Sequence, residues 1–113
     1  MRRDDALLLD ITKAARLILE FTAGTSKQAF LNDHKTQSAI LHQLMVMGEG
    51  VKRLSFELRD QHPEIPWSLI AGMRDHLIHA YDAVDLEEVW KTVSQDIPDL
   101  LNKIEPLLPQ EPR

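Results

Sequence analysis

The chain has 113 residues, 43% of them hydrophobic and 27% charged, with no cysteine and a formal net charge of −5. That length builds one core but not two, and the absent thiols exclude a disulfide framework, thiolate metal ligation and a cysteine nucleophile. The negative charge argues against broad, nonspecific nucleic-acid binding, which usually needs a basic field, but leaves room for a local basic groove.

The longest apolar runs, such as Leu7-Leu8-Leu9 and Leu44 to Met47, fall far short of a membrane span. Met-Arg-Arg-Asp-Asp opens the chain without a signal-peptide core, so no membrane partner and a cytoplasmic location are expected. Charge is uneven. Asp85, Glu87, Glu88, Asp96, Asp99, Glu105 and Glu111 crowd the end, whereas Lys52, Arg53, Arg59 and Arg74 mark the middle. Solvated helix faces are the bland reading of that split, and an RNA-facing middle is the sharper one.

In chain order, Asp4 and Asp5 suit the first turn of a helix, where negative charge meets free N–H groups. Leu7, Leu8, Ile11, Ala14, Ala15, Ile18 and Leu19 recur at helical spacing until Gly24. Thr25 with Gln28 fits a capping box for a short turn containing Phe30, and Asn32 or Asp33 can cap the next helix. That helix is expected to be the longest, over about His34 to Asp60. Ile40, Leu44, Met47, Val51, Leu54 and Leu58 line one narrow seam, spaced alternately by four and three. Gly48 and Gly50 inside it each cost about 1 kcal/mol of helix propensity, which close helix approach or a kink would explain. Lys52, Ser55 and Arg59 would then share a face beside the seam, forming either one wall of a phosphate-binding groove or a polar stripe with Glu49 paired to Lys52 or Arg53.

His62-Pro63-Glu64-Ile65-Pro66 breaks the helix. Trp67 opens another through Ile70, Met73 and Leu77, and Asp82 to Asp85 is its exit. Asp85 can cap a last helix with Leu86, Val89, Trp90, Val93, Ile97, Leu100, Leu101 and Ile104 on its apolar face, bent or divided by Pro98. No stretch alternates in the manner of a strand. The expected fold is all-α, an up-and-down bundle of four to five helices in one domain over 1–113. The packed part is expected over 1–105, followed by an extended Pro-rich tail over 106–113 with Pro106, Pro109 and Pro112.

The chemistry concentrates in Arg74-Asp75-His76-Leu77-Ile78-His79-Ala80-Tyr81. Arginine offers a fixed fork of donors suited to phosphate, and histidine can give or take a proton near neutrality. Together they suit RNA cleavage, in which a base takes the 2′-hydroxyl proton and a cation steadies the charge growing on phosphate. On an ideal helix Arg74 and Tyr81 share a face, but His79 lies about 140° round the axis from Arg74. The helix must therefore end or distort near His79, or the pair must be completed across a dimer contact. Asp75 could orient the His79 ring or pair with it. Two other readings stand beside this one: His76 and His79 holding a metal with Asp75, Asp82 and Asp85 nearby, or an arginine–histidine network bracing a helix end. Tyr81 alone reads as a half-buried packing residue.

At these residues the sequence resembles the HEPN superfamily, and within it the HepT-like toxins. Its Arg–polar–spacer–His-x-Tyr signature appears as Arg74, Asp75, His79 and Tyr81. The resemblance extends through Leu54 to Arg59, His62 to Trp67, Gly72-Met73-Arg74 and Val84 to Trp90. Asp75 stands where that family commonly has asparagine, and Gly48-Glu49-Gly50 where it has Gly-Glu-Ala. The resemblance implies an all-α homodimer in which the motifs of two subunits face one cleft. It implies a metal-independent endoribonuclease without a cofactor, Arg74 binding the scissile phosphate, His79 acting as general acid or base and Asp75 orienting them. It further implies an MNT-type nucleotidyltransferase antitoxin that transfers AMP to Tyr81, within a higher hetero-oligomer. Lys52, Arg53 and Arg59 are candidates for RNA binding. The competing expectations are a non-catalytic helical docking partner of a nucleotidyltransferase and a plain dimeric interaction module.

Overall fold

The computed structural model describes residues 2–109, with the backbone alone at Tyr81. α1 (Arg3–Thr22) buries Leu7, Leu8, Ile11, Ala14, Ala15 and Ile18. It gives way to Gly24, whose φ of +73° is open to glycine at little steric cost. α2 (Lys27–Leu31) is capped by Ser26, which accepts from the Ala29 N–H, so the cap lies one residue beyond the expected Thr25. α3 (His34–Arg53) starts at Asp33, whose carboxylate accepts from the Thr36 N–H, as one of the two expected caps.

The seam on α3 is real: Ile40, Leu44, Met47 and Val51 are all buried. The helix is shorter than expected, however. Leu54 and Ser55 adopt extended backbone, and Ser55 caps a separate α4 (Phe56–Gln61). The cause is distant in sequence. The Asp4 carboxylate accepts from both the backbone N–H and the hydroxyl of Ser55, giving that amide a partner outside the helix. Asp4 therefore organises the far end of α3. The shared helical face expected for Lys52, Ser55 and Arg59 does not form, because the chain turns between Lys52 and Arg59.

After the His62–Pro66 turn, the Trp67 indole donates to the His62 carbonyl at 3.0 Å, and α5 (Trp67–His79) begins. It ends at His79, one of the two outcomes that the Arg74–His79 spacing left open, and a 3-10 turn follows at Tyr81–Ala83. Asp85 caps α6 (Leu86–Lys91) through the Glu87 and Glu88 N–H groups. A π-helical turn at Thr92–Asp96 carries the chain straight into α7 (Ile97–Ile104). Pro98 sits in the first turn of α7, where a proline N is tolerated, and the π turn directly before it divides the run into α6 and α7.

Counting α6 and α7 as one continuous helix, six helices form, where four to five were expected, and no strand occurs among the described residues. The short α2 and α4 account for the difference. α3 packs between α1 and α5, α7 packs on α1, and α2 meets α6, where Phe30 lies 5.2 Å from Trp90 centroid to centroid. The packed part also runs past residue 105. Glu105–Leu107 forms a 3-10 turn, and Leu107 and Leu108 rest against the core. Leucine side chains at both positions gain by leaving water, which the prolines around them concealed. Pro112, the end of the expected tail, lies outside the described residues. Among the described residues, no helix is long and apolar enough to cross a membrane.

Candidate active site

Arg74 sits on α5 where that helix packs tightly against Gly48 of α3. The contact is set by Gly48: a Cβ placed there would lie 2.1 Å from the Arg74 Cβ and 3.0 Å from the Ile70 carbonyl oxygen. Gly50, half a turn on, serves the other side, where a Cβ would meet Ile11 of α1 at 2.7 Å. Both glycines mark close helix approach rather than a kink.

Held this way, the Arg74 side chain is 28% exposed and its guanidinium meets two carboxylates. Nη2 lies 3.2 Å from Glu49 Oε2, and Nη1 donates to Asp75 Oδ1 at 3.1 Å. The same Asp75 oxygen accepts from Lys52 Nζ at 2.8 Å. The Lys52 hydrogen bond, followed by that from Arg74, holds the Asp75 carboxyl below the ordinary carboxylate range. Asp75 thus engages Arg74 and Lys52 rather than His79. Glu49 pairs with Arg74 rather than with Lys52 or Arg53, a contact that no local spacing announces.

The groove above Arg74 is lined by α1, α3 and α5. Its polar residues include Asp10 and Lys13 from α1, His42, Glu49 and Arg53 from α3, and Arg74; its apolar lining includes Leu17, Met45, Val46 and Ile78. Ile78 follows Arg74 by four residues and shares its side of α5, 47% exposed. His79 is the next residue and the last of the helix, an exposed side chain turned by one residue's step from that face. One subunit therefore does not draw Arg74 and His79 together through the helix that carries both. Tyr81 opens the 3-10 turn two residues later.

Of the three further basic candidates, Lys52 is tied to Asp75, Arg53 lines the groove, and Arg59 lies apart on α4. Lys13, Asp10 and His42 escaped sequence reading, because their helices carry no motif and only the packing of α1 on α3 brings them to the groove. Among the described residues, no group of three or more histidine, aspartate or glutamate side chains converges as a metal site, so His76 and His79 do not gather the neighbouring aspartates.

Comparison with known proteins places this geometry in context. The family described as "Ribonuclease HepT-like" matches residues 11–107. A Thermococcus cleftensis protein named "Probable ribonuclease HepT" is 48% identical over 100 residues, covering 88% of this chain and 91% of that one. A Caldanaerobacter subterraneus protein named "Putative RNase TTE0752" is 34% identical over 111 residues, covering 98% of this chain and 99% of that one. No solved structure matches significantly.

Proposed function

The chain belongs to the HepT-like ribonuclease family, and on that premise we propose that it is a metal-independent endoribonuclease toxin acting in the cytoplasm. The observation that carries the reading is the setting of Arg74. A guanidinium is braced by Glu49 and Asp75 at the foot of an open groove, with a histidine at the end of the same helix.

Arg74 binds the scissile phosphate and His79 moves the proton. The ribose 2′-oxygen loses its proton to the base and attacks the adjacent phosphorus, and the 5′-oxygen of the next nucleotide leaves with a proton. The products are a 2′,3′-cyclic phosphate and a 5′-hydroxyl. Arg74 steadies the charge that accumulates on the non-bridging oxygens. Asp75 supports the site by fixing the Arg74 fork and Lys52. Two subunits complete the site. The part-apolar groove face, with Leu17, Met45, Val46 and Ile78 around Arg74, suits contact between two copies, and such contact lets the motifs of both face one cleft.

Tyr81 is the site of inhibitory AMP transfer by an MNT-type nucleotidyltransferase antitoxin. Its backbone lies two residues beyond His79, so an added nucleotide puts bulk and negative charge beside the cleft and repels the RNA backbone. Two measurements test the pair of claims. An oligoribonucleotide with a single 2′-deoxy position at the cut site should resist cleavage there; cutting at that position rules out attack by the 2′-oxygen. Intact mass after co-expression with the nucleotidyltransferase should rise by AMP units that Tyr81→Phe abolishes. An unchanged mass beside an active transferase removes the modification claim and favours a docking partner.

A further inference from the structure

The side chain least accounted for by core or groove is Phe56. It opens α4 with 76% of its surface exposed, on a chain that buries Phe30 completely. It is not bare, because the Arg59 guanidinium carbon stands 5.8 Å from the ring centroid, within cation–π range. Arg59 Nε is shielded from solvent without a hydrogen-bond partner, and neither Arg53 nor Arg59 has an ion-pair partner among the described residues. This contrasts with Lys52 and Arg74, whose charges are met by Asp75 and Glu49. A flat, exposed aromatic face with a guanidinium over it is what an unpaired base stacks on, and every base offers such a face.

Position links this platform to the site. Arg53 lines the groove that contains Arg74, and Phe56 follows it by three residues across the break at Leu54–Ser55. Three virtual bonds of about 3.8 Å place the two Cα atoms at most roughly 11 Å apart. Bases stacked about 3.4 Å apart cover that span in about three nucleotides. We propose that Phe56 and Arg59 form a base-stacking subsite for single-stranded RNA, reached from the Arg74 groove by way of Arg53. The proposal rests on the RNA-cleaving reading above and extends it. The subsite favours single strands over duplex, whose bases are already stacked, and it tolerates any base.

The test uses the full-length chain carrying His79→Ala, so that bound RNA is not cut. Fluorescence anisotropy reads the affinity for a labelled single-stranded oligouridylate and for a labelled uridine dinucleotide. Adding Phe56→Ala should weaken oligonucleotide binding roughly tenfold or more, leave the dinucleotide unaffected, and be reversed by Phe56→Trp. Arg59→Gln should weaken the oligonucleotide further and flatten its salt dependence. Because Phe56 is exposed, thermal melts of the Phe56 variants should match the parent. Equal oligonucleotide affinity with and without Phe56 overturns the proposal. So does a Phe56→Ala effect confined to self-association or protein-partner binding, which makes the ring a protein contact. Cleavage by the chain with His79 intact is scored separately: its failure removes the ribonuclease reading, whereas failure of the anisotropy difference removes only the stacking subsite.

Discussion

Gly48 and Arg74 share one space: a Cβ on the first would lie 2.1 Å from the Cβ of the second. Backbone contact at this crossing fixes where the guanidinium stands, since Ile70 O is also within 3.0 Å of that Cβ. The candidate site is therefore tied to a helix-packing contact rather than to a loop.

Gly48→Ala should separate α3 from α5 and cost about 1–3 kcal/mol of stability, net of the helix propensity that alanine gains. Gly72→Ala is the control. Nothing lies within 4 Å of a Cβ there, so the same change on α5 should stabilise by about 0.5–1 kcal/mol. Urea unfolding of both variants checks the opposite signs. Cleavage should fall in the first and persist in the second.

Asp4→Asn should loosen the α3–α4 junction, and its effect should depend on pH. The Asp4 pKa is lowered, first by the hydrogen bond from the Ser55 hydroxyl and next by that from the Ser55 backbone. A carboxyl with a depressed folded pKa contributes stability above its unfolded value of 3.8 and loses it as pH falls through the folded value. The wild type should exceed Asp4→Asn in melting temperature at neutral pH. The gap should close on acidification below pH 3.8, and a pH-independent gap would count against the ionised contact.

Asp75→Asn removes a carboxylate that competes with RNA phosphate for Arg74 and Lys52. RNA affinity should rise by roughly fivefold, a modest gain because the contact is screened by solvent. Because the Asp75 side chain is 47% exposed, stability should change little. The Asp75 pKa is lowered by its Lys52 and Arg74 hydrogen bonds, so the carboxylate does not titrate near neutrality. Any change of activity between about pH 5 and 8 should therefore survive in this variant.

The elements that local rules govern were legible in the sequence. The seam from Ile40 to Val51 follows from side-chain period, and the caps at Asp33 and Asp85 from their carboxylates, whereas the angle between Arg74 and His79 left the end of α5 and a dimer contact both open. What stayed hidden depends on partners far along the chain. The break at Ser55 is made by Asp4, 51 residues away, and the apolar seam continues through it because Leu54 remains buried. The sequence narrowed Gly48 and Gly50 to approach or kink, and only Arg74 and Ile11 decide for approach. The Glu49–Arg74 pair and the groove contributions of Lys13 and His42 arise from helix packing, which one-dimensional spacing does not carry.

The ribonuclease reading meets its most direct test in the rate of single-stranded RNA cleavage by the wild type, Arg74→Ala and His79→Ala, each with and without chelator. His79 is exposed at a helix end, so its removal should leave the fold intact, as circular dichroism can verify. The expected result is cleavage by the wild type that chelator leaves unchanged, and a loss of at least about 100-fold in both variants. Wild-type rates in His79→Ala, or cleavage abolished by chelator, would contradict metal-independent catalysis by Arg74 and His79.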